Sequence, residues 1–186
     1  VSIDKADNKV YDGSTTATGT ISTLDIVSGD IVNVSYSANF ADKNAGNGKN
    51  VTFNFAKNGA DAGNYVFAST SGTAKADISA KTLTVSIDKA DNKVYDGTTT
   101  ATGTISTSGI LSGDIVNVSY SANFADKNVG ENKTATFNFT KNGTDAGNYA
   151  FASASGTKNA SISAKTLTVS IDKADNKVYD GSTTAT

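Results

Sequence analysis

The sequence contains no cysteine, histidine, tryptophan, methionine, proline, arginine or glutamine among its 186 residues. Without cysteine there is no disulfide framework, and without cysteine and histidine there is no ordinary zinc site and no Ser-His-Asp or Cys-His catalytic group. All 16 basic residues are lysine, so the guanidinium fork that reads phosphates and guanine edges is missing. We therefore expect a protein that is not an enzyme, with no catalytic residues, no metal site and no cofactor.

Charge and hydropathy narrow the choice of partners further. The formal net charge is −2 and the sequence pI is about 5.0, which argues against a nucleic-acid partner. No apolar run approaches the ~18 residues that a membrane-spanning helix needs. The chain begins at Val1 without a signal sequence, so we expect it to be an internal part of a longer protein.

An internal repeat organises the whole sequence. The 13 residues Val1–Gly13 recur without change at Val85–Gly97 and again at Val169–Gly181, so the period is 84 residues. Residues 1–84 align with residues 85–168 without a gap, and 16 of the 84 positions differ. Because solenoid rungs and propeller blades are ~20–50 residues long, a period of this length predicts a small domain of its own. We expect domains at 1–80 and 81–164, followed by the start of a truncated third repeat at 165–186.

Hydrophobic patterning within one period predicts strands throughout. Val32, Val34, Tyr36, Ala38 and Phe40 alternate with polar residues, which is typical of a half-buried strand. Asp-Gly and Asn-Gly pairs between such runs supply the positive φ that tight turns require. The predicted strands lie near residues 81–87, 92–95, 17–22, 31–40, 50–56, 64–69 and 73–79, with equivalents in the other copy. The best helix candidate is a single turn near Leu24–Ser28.

This strand count predicts an all-β fold of tandem small β-sandwiches of immunoglobulin-like type, with a β-grasp-like, mostly-β module as the alternative. The segment Asp61–Phe67 reads D-x-G-x-Y-x-F and recurs at Asp145–Phe151. This pattern is similar to the tyrosine corner of immunoglobulin-like sandwiches, in which a Tyr hydroxyl bonds to nearby backbone. An ordinary turn before a Tyr-containing strand would give the same sequence.

Four segments, taken in order, resemble the YDG-type repeat of very large bacterial surface and secreted proteins, including filamentous-haemagglutinin-like exoproteins. The segments are Lys93–Thr102, Ser112–Asp114, Phe124–Gly130 and Gly143–Tyr149. The resemblance covers the whole period, and it implies tandem β modules in a long adhesin that is secreted or held at the bacterial cell surface. It implies no catalytic residue and no cofactor.

The leading functional expectation is a structural spacer that projects a distal binding region from the cell. Ile78–Val85 joins the repeats without a flexible Gly/Ser tract, so we expect a semi-rigid, monomeric rod whose partners are the neighbouring repeats of the same chain. A host surface or another cell would be bound through distal regions. The alternative is that the repeats are weak adhesive modules that bind a host glycan or protein and gain strength by multivalency.

Some polar clusters could carry a ligand or a modification. Asp4, Asp7, Asn8 and Asp12 form one group, and the pairs Asp42/Asn44 and Asp61/Asn64 form two more, but none has the dense oxygen spacing of a calcium loop. Turn and cap chemistry explains them more simply. Sequons of the form Asn-x-Ser/Thr occur at Asn33, Asn50, Asn117, Asn132, Asn142 and Asn159.

The equivalent tyrosines Tyr11, Tyr95 and Tyr179 stand beside the Asp-Gly turn and form the last candidate site. Most other aromatic residues fall on predicted inward positions, whereas these three do not. We expect them to serve either in packing at the junction between repeats or in contact with a ligand.

Overall fold

The computed structural model describes residues 1–184, and the described chain is almost entirely β-strand and loop. The strands of the first repeat are β1 (Ser2–Ala6), β2 (Lys9–Val10), β3 (Thr16–Ala17), β4 (Gly19–Ser22), β5 (Asn33–Phe40), β6 (Gly46–Asn58) and β7 (Ser71–Ser79). Those of the second are β8 (Lys81–Ala90), β9 (Lys93–Val94), β10 (Gly103–Ser108), β11 (Asn117–Phe124), β12 (Gly130–Asn142), β13 (Tyr149–Phe151) and β14 (Ser155–Ser163). A single 3-10 turn interrupts each repeat, at Ala62–Asn64 and at Ala146–Asn148.

Each repeat is built from two sheets. In the first repeat, β1 pairs with β4, and a second sheet has the order β2-β7-β6-β5-β3. In the second repeat, the corresponding sheets have the orders β10-β8-β13 and β11-β12-β14-β9. The long antiparallel pairs β5–β6 and β11–β12 form the centre of each larger sheet. The all-β fold predicted from the sequence is confirmed.

The two sheets of a repeat face each other across a thin apolar layer. Phe53 and Val51 of β6 are fully buried there, as their alternation with polar residues predicts. The hydroxyl of Tyr36 on β5 donates to the carbonyl of Gly19 on β4 at 2.6 Å and accepts from the amide of Gly19 at 2.9 Å. A Cβ at Gly19 would lie 2.2 Å from the carbonyl oxygen of Lys5, so only glycine permits this approach between the sheets. Tyr120 makes the same bonds to Gly103 in the second repeat.

Two local predictions are wrong. Leu24–Ser28 forms no helical turn, because Asp25 has a left-handed backbone (φ 67°) and the amide of Val27 donates to the hydroxyl of Tyr65. The strand predicted at 64–69 is absent from the first repeat, although its equivalent is β13 in the second. The same sequence pattern differs in structure because β13 pairs with β8, whereas no described strand pairs with residues 65–67.

The truncated third repeat contains no regular structure among its described residues. Residues 164–184 are neither strand nor helix, and Leu167, Ile171 and Tyr179 are at least 87% exposed. These residues are exposed throughout and do not pack on the preceding repeat. No strand among the described residues pairs with this segment.

Candidate functional site: the junction between the two repeats

The backbone passes from one repeat to the next through a single residue. Strand β7 ends at Ser79, β8 begins at Lys81, and β8 continues to Ala90 as the first strand of the second repeat. The segment Lys81–Leu83 pairs in parallel with β13 of the second repeat. A linker that is itself a paired strand has little freedom to hinge.

Leu83 fills the space between the repeats. Its side chain is fully buried, and it belongs to the same apolar cluster as Tyr11, Phe40 and Phe53 of the first repeat. Several second-repeat residues pack against that cluster, namely Ile110, Leu111, Val116, Val118 and Phe151. The apolar core of the first repeat therefore continues across the junction.

Asp114 links one tyrosine from each repeat. Its Oδ1 accepts a hydrogen bond from the hydroxyl of Tyr11 at 3.2 Å, and its Oδ2 accepts one from the hydroxyl of Tyr149 at 2.6 Å. Tyr11 and Tyr149 are 1% and 2% exposed, and their rings meet edge to face with centroids 5.6 Å apart. The aromatic contact and the shared carboxylate together hold the ends of the two repeats against each other.

Lys43 and Asn148 add a polar rim to this contact. The ammonium of Lys43 lies 3.7 Å from Asp114 Oδ1 and 3.6 Å from Asp145 Oδ1, so it offsets part of the negative charge of two carboxylates of the second repeat. Asn148 is 4% exposed; its Oδ1 accepts from the amide of Ala45 at 2.9 Å, and its Nδ2 donates to Oδ1 of Asn44 at 3.3 Å. Asn148 is the one buried polar residue of the described chain, and both ends of its amide have partners in the first repeat.

The electrostatics of this cluster follow from its burial. Burial, followed by the hydrogen bond to Asp114, raises the pKa of both Tyr11 and Tyr149, and the neighbouring Lys43 partly opposes this rise at Tyr11. The backbone amide of Ile115 donates to Asp145 and, with the nearby Lys43, lowers the pKa of that carboxyl. The junction therefore favours neutral phenols at Tyr11 and Tyr149 and an ionised carboxylate at Asp145.

Alkaline pH is expected to weaken the junction. An unfolded tyrosine titrates near pH 10, and the pKa of Tyr11 is higher in the folded chain. The stabilisation is therefore complete below about pH 10 and is lost as the pH rises through the folded value. A tyrosinate absorbance titration of the chain, minus that of the Tyr11→Phe variant, should give a difference curve with its midpoint above about 10. A midpoint at or below that of free tyrosine would contradict this assignment.

The three candidate tyrosines have three different environments. Tyr11 is buried in the junction, Tyr95 is half-buried at the far end of the second repeat, and Tyr179 is 92% exposed. Of the two roles expected for these tyrosines, Tyr11 takes the first, packing between repeats.

The D-x-G-x-Y-x-F motif does not form the predicted tyrosine corner. The hydroxyl of Tyr65 donates to Asp30 Oδ2 at 2.7 Å and accepts from the amide of Val27, 38 residues earlier, rather than bonding to adjacent backbone. Tyr149 makes the equivalent bonds to Asp114 and Leu111. In both repeats the tyrosine therefore holds the loop before β5 or β11 in place.

The candidate calcium residues act mostly as turn and loop acceptors. Asp42 Oδ1 accepts from the amide of Asn44 at 2.8 Å and pairs with Lys49. Asp61 Oδ2 accepts from the amide of Ile31 at 2.8 Å, and Asp12 accepts from the amide of Ser14 at 2.9 Å. Among the described residues no three acidic side chains converge on a point that could hold a cation. The six sequon asparagines named above, and Asn138 of a seventh sequon, all lie exposed on the surface.

Two surface grooves mark the ends of the repeats. One, of about 430 Å³, lies at the junction between Asp12, Gly13 and Lys43 on one side and Leu111–Asp114 on the other. The second, of about 190 Å³, lies at the free end of the first repeat and is lined by Leu24, Tyr65 and Phe67 among others. In the second repeat, Lys81–Leu83 lies beside the equivalent Tyr149–Phe151. The smaller groove therefore corresponds to the place that Lys81–Leu83 fills in the second repeat.

Sequence reasoning missed most of the junction residues. The cluster of Lys43, Asp114, Asp145 and Asn148 around Tyr11 was not predicted, because its contacts across the junction join positions about 70–105 residues apart. Their types do recur one period away, as Lys127, Asp30, Asp61 and Asn64. The recurrence of these polar residues in both repeats was the signal in the sequence that could have indicated a shared role at the junction.

Comparison with known proteins gives one family. The YDG domain matches residues 1–72 and, a second time, residues 79–156. No curated protein and no solved structure gave a significant match. Within residues 1–184, no helix has the length and apolar character needed to cross a bilayer.

Proposed function

Since this chain belongs to the YDG domain family and carries two copies of the domain, we propose that it is a structural spacer, a semi-rigid stalk segment of a long bacterial adhesin that is secreted or held at the cell surface. In this role the repeats set the distance and direction between a cell and a distal binding region. They perform no chemistry of their own.

One observation carries this proposal: the junction is built like the interior of a domain rather than like a linker. Leu83 and Tyr11 are at most 1% exposed, and Asp114 bonds to a tyrosine from each repeat. In stacked repeats, stability is the sum of each unit and its interface with the next. Because the tyrosines, charged residues and asparagines of this interface have the same residue types one period away, a similar arrangement would recur at each junction of a longer array.

The bacterial surface location rests on the sequence resemblance described above, and the spacer role fits it. The alternative, a weak adhesive module, would need exposed contact residues that recur in each repeat. Tyr11, the candidate contact residue of the first repeat, is instead occupied in the junction. This favours the spacer over the adhesive module.

The rigidity of the two-repeat unit can be measured directly, since the chain has no native cysteine to interfere with labelling. Thr52 on β6 and Thr136 on β12 are exposed and occupy equivalent positions one period apart. Spin labels on the double variant Thr52→Cys/Thr136→Cys, in dilute solution, are expected to give one narrow distance distribution by pulsed electron resonance.

A broad distribution, of the width expected for two domains on a flexible tether, would overturn the spacer proposal. Samples labelled at Thr52→Cys alone or at Thr136→Cys alone serve as controls. Each of these samples carries one label per molecule, so any distance it gave would come from contacts between molecules. We expect none at the concentration used.

A further inference from the structure

We propose that each repeat carries a mechanical clamp that resists pulling along the chain, so that the stalk holds tension as well as setting a distance. The clamp is the short parallel pairing between the segment that enters a repeat and the strand that leaves it. It consists of Asn8–Tyr11 with Asp77–Ser79 in the first repeat and of Asn92–Tyr95 with Ser161–Ser163 in the second. The proposal deepens the proposed spacer function and rests on it, because a stalk between a cell and a distal target is pulled along its length.

The direction of the paired strands decides how they carry force. Strand β2 pairs in parallel with β7, and β9 pairs in parallel with β14. Tension draws the entering strand toward its beginning and the leaving strand toward its end. In a parallel pair these two pulls are opposite and run along the strands. All hydrogen bonds of the clamp are therefore stretched together rather than one after another.

The other strand pairs of the first repeat have the opposite orientation. The pairs β1–β4, β3–β5, β5–β6 and β6–β7 are all antiparallel. When the two neighbouring ends of an antiparallel pair are pulled apart, its ladder opens one residue pair at a time. Among the strands described for residues 1–79, β2–β7 is the one parallel pair, and it joins the entering segment to the leaving strand.

Three hydrogen bonds reinforce the clamp of the first repeat beyond its two-residue ladder. The backbone amide of Asp77 donates to Oδ1 of Asn8 at 2.8 Å, and the amide of Tyr11 donates to the carbonyl of Ser79 at 2.8 Å. The hydroxyl of Ser79 donates to the carbonyl of Lys9 at 3.3 Å. These bonds lie on both sides of the ladder, so they lengthen the region that must break at once.

The second repeat makes the same three bonds. The amide of Ser161 donates to Oδ1 of Asn92 at 2.7 Å, and the amide of Tyr95 donates to the carbonyl of Ser163 at 2.9 Å. The hydroxyl of Ser163 donates to the carbonyl of Lys93 at 3.3 Å. Because the donor to the asparagine is a backbone amide in both repeats, the exchange of Asp for Ser at that position leaves the clamp intact.

Buried apolar side chains shield the inner side of the clamp from water. Ile78 and Ile162 are paired with Lys9 and Lys93 in the two ladders, and each isoleucine is 1% exposed. A hydrogen bond in such surroundings is electrostatically stronger than one in water. Water is also kept from the inner side, where it would compete for a stretched bond.

A further parallel pair shares the tension in the second repeat. Strand β13 pairs with β8 over Tyr149–Phe151 and Lys81–Leu83, and β13 leads into β14. Pulling along the chain therefore stretches this pair in the same direction as the clamp. We expect the clearest effect of a clamp substitution in the first repeat, where β2–β7 is the parallel pair.

Single-molecule force spectroscopy on the full chain, with handles at its two ends, tests the clamp. Asn8→Ala removes the side-chain acceptor for the amide of Asp77. At constant force we expect one of the two unfolding steps to become about 2–10-fold faster, which is the change for the loss of one hydrogen bond. The other step should keep its rate, because the clamp of the second repeat is unchanged.

Asp126→Ala is the matched control for this variant. Oδ1 of Asp126 also accepts a backbone amide at 2.8 Å, that of Asn128, but this bond lies in the turn between β11 and β12 and not in the clamp. Asp126 and Asn8 are both exposed. We expect Asp126→Ala to change the rate of neither unfolding step.

A second pulling direction separates mechanical resistance from general stability. Asn33 and Asn58 are exposed and lie directly opposite each other on β5 and β6. Handles on the double variant Asn33→Cys/Asn58→Cys would therefore peel this antiparallel pair apart from its open end. We expect the first repeat to unfold at a lower force in this direction than when it is pulled along the chain, and Asn8→Ala to leave that lower force unchanged.

The proposal would be wrong if the first repeat unfolded along the chain at a force no higher than the peeling force. It would also be wrong if Asn8→Ala had no larger effect on pulling along the chain than Asp126→Ala. A repeat without mechanical resistance would still give a narrow spin-label distance distribution in the absence of force, so failure here leaves the spacer proposal to its own test.

Discussion

Replacement of Leu83 by alanine is expected to lower the free energy of unfolding by about 2–5 kcal/mol, the range for removing a buried leucine side chain. Leu83 is fully buried where β8 passes between the repeats, so its loss leaves a cavity in the core cluster that spans the junction. Urea unfolding monitored by circular dichroism measures the change. The loss should be accompanied by a wider distance distribution between labels at positions 52 and 136.

The sequence provides a matched control for this variant. Leu167 stands in an identical Lys-Thr-Leu-Thr segment one period later but is 87% exposed in the unstructured C-terminal region. Leu167→Ala should change the unfolding curve by no more than the scatter typical of surface substitutions, about 0.5 kcal/mol. Equal effects from the two variants would refute the assigned role of Leu83.

The second large effect is expected at Asp114. In Asp114→Ala the hydroxyls of Tyr11 and Tyr149 both lose their acceptor, and Lys43 loses one of its two carboxylates. A buried hydroxyl whose hydrogen is left without an acceptor costs about 1–3 kcal/mol. We expect the interface between the repeats to loosen, which would appear as a broader label distance distribution together with lower stability.

Asp30→Ala is the matched control, since Asp30 occupies the same position in the first repeat and accepts from Tyr65 but from no residue of another repeat. It should destabilise the loop before β5 while leaving the label distances narrow. The difference between the two variants therefore isolates the contribution of the junction. If Asp30→Ala broadened the distances as much as Asp114→Ala, the shared carboxylate would not be what couples the repeats.

The strands could be predicted because their signal is local. Strand β5 runs from Asn33 to Phe40 and was predicted at 31–40, and β7 runs from Ser71 to Ser79 and was predicted at 73–79. Alternation of apolar and polar residues records which face of a strand meets the core, and this pattern is visible within eight residues. The loop at Leu24–Ser28 was mispredicted because its conformation depends on Tyr65, about 40 residues later.

The junction could not be predicted in the same way. Burial of Tyr11 depends on Asp114 and Tyr149, which the chain brings close only after both sandwiches have formed. The identical segments Lys81–Thr84 and Lys165–Thr168 show the limit most clearly, since one is a paired strand and the other is unstructured. Local sequence is the same in both, so their difference comes from their neighbours.

By itself, the sequence determined that this protein is an array of all-β units with a period of 84 residues, because periodicity and strand alternation are properties of neighbouring residues along the chain. Only the tertiary structure decided how the units meet. The burial of Tyr11, the hydrogen bonds of Asn148 and the formation of β13 all depend on partners roughly 70–105 positions away. Contacts at that distance leave no pattern in a local stretch of sequence.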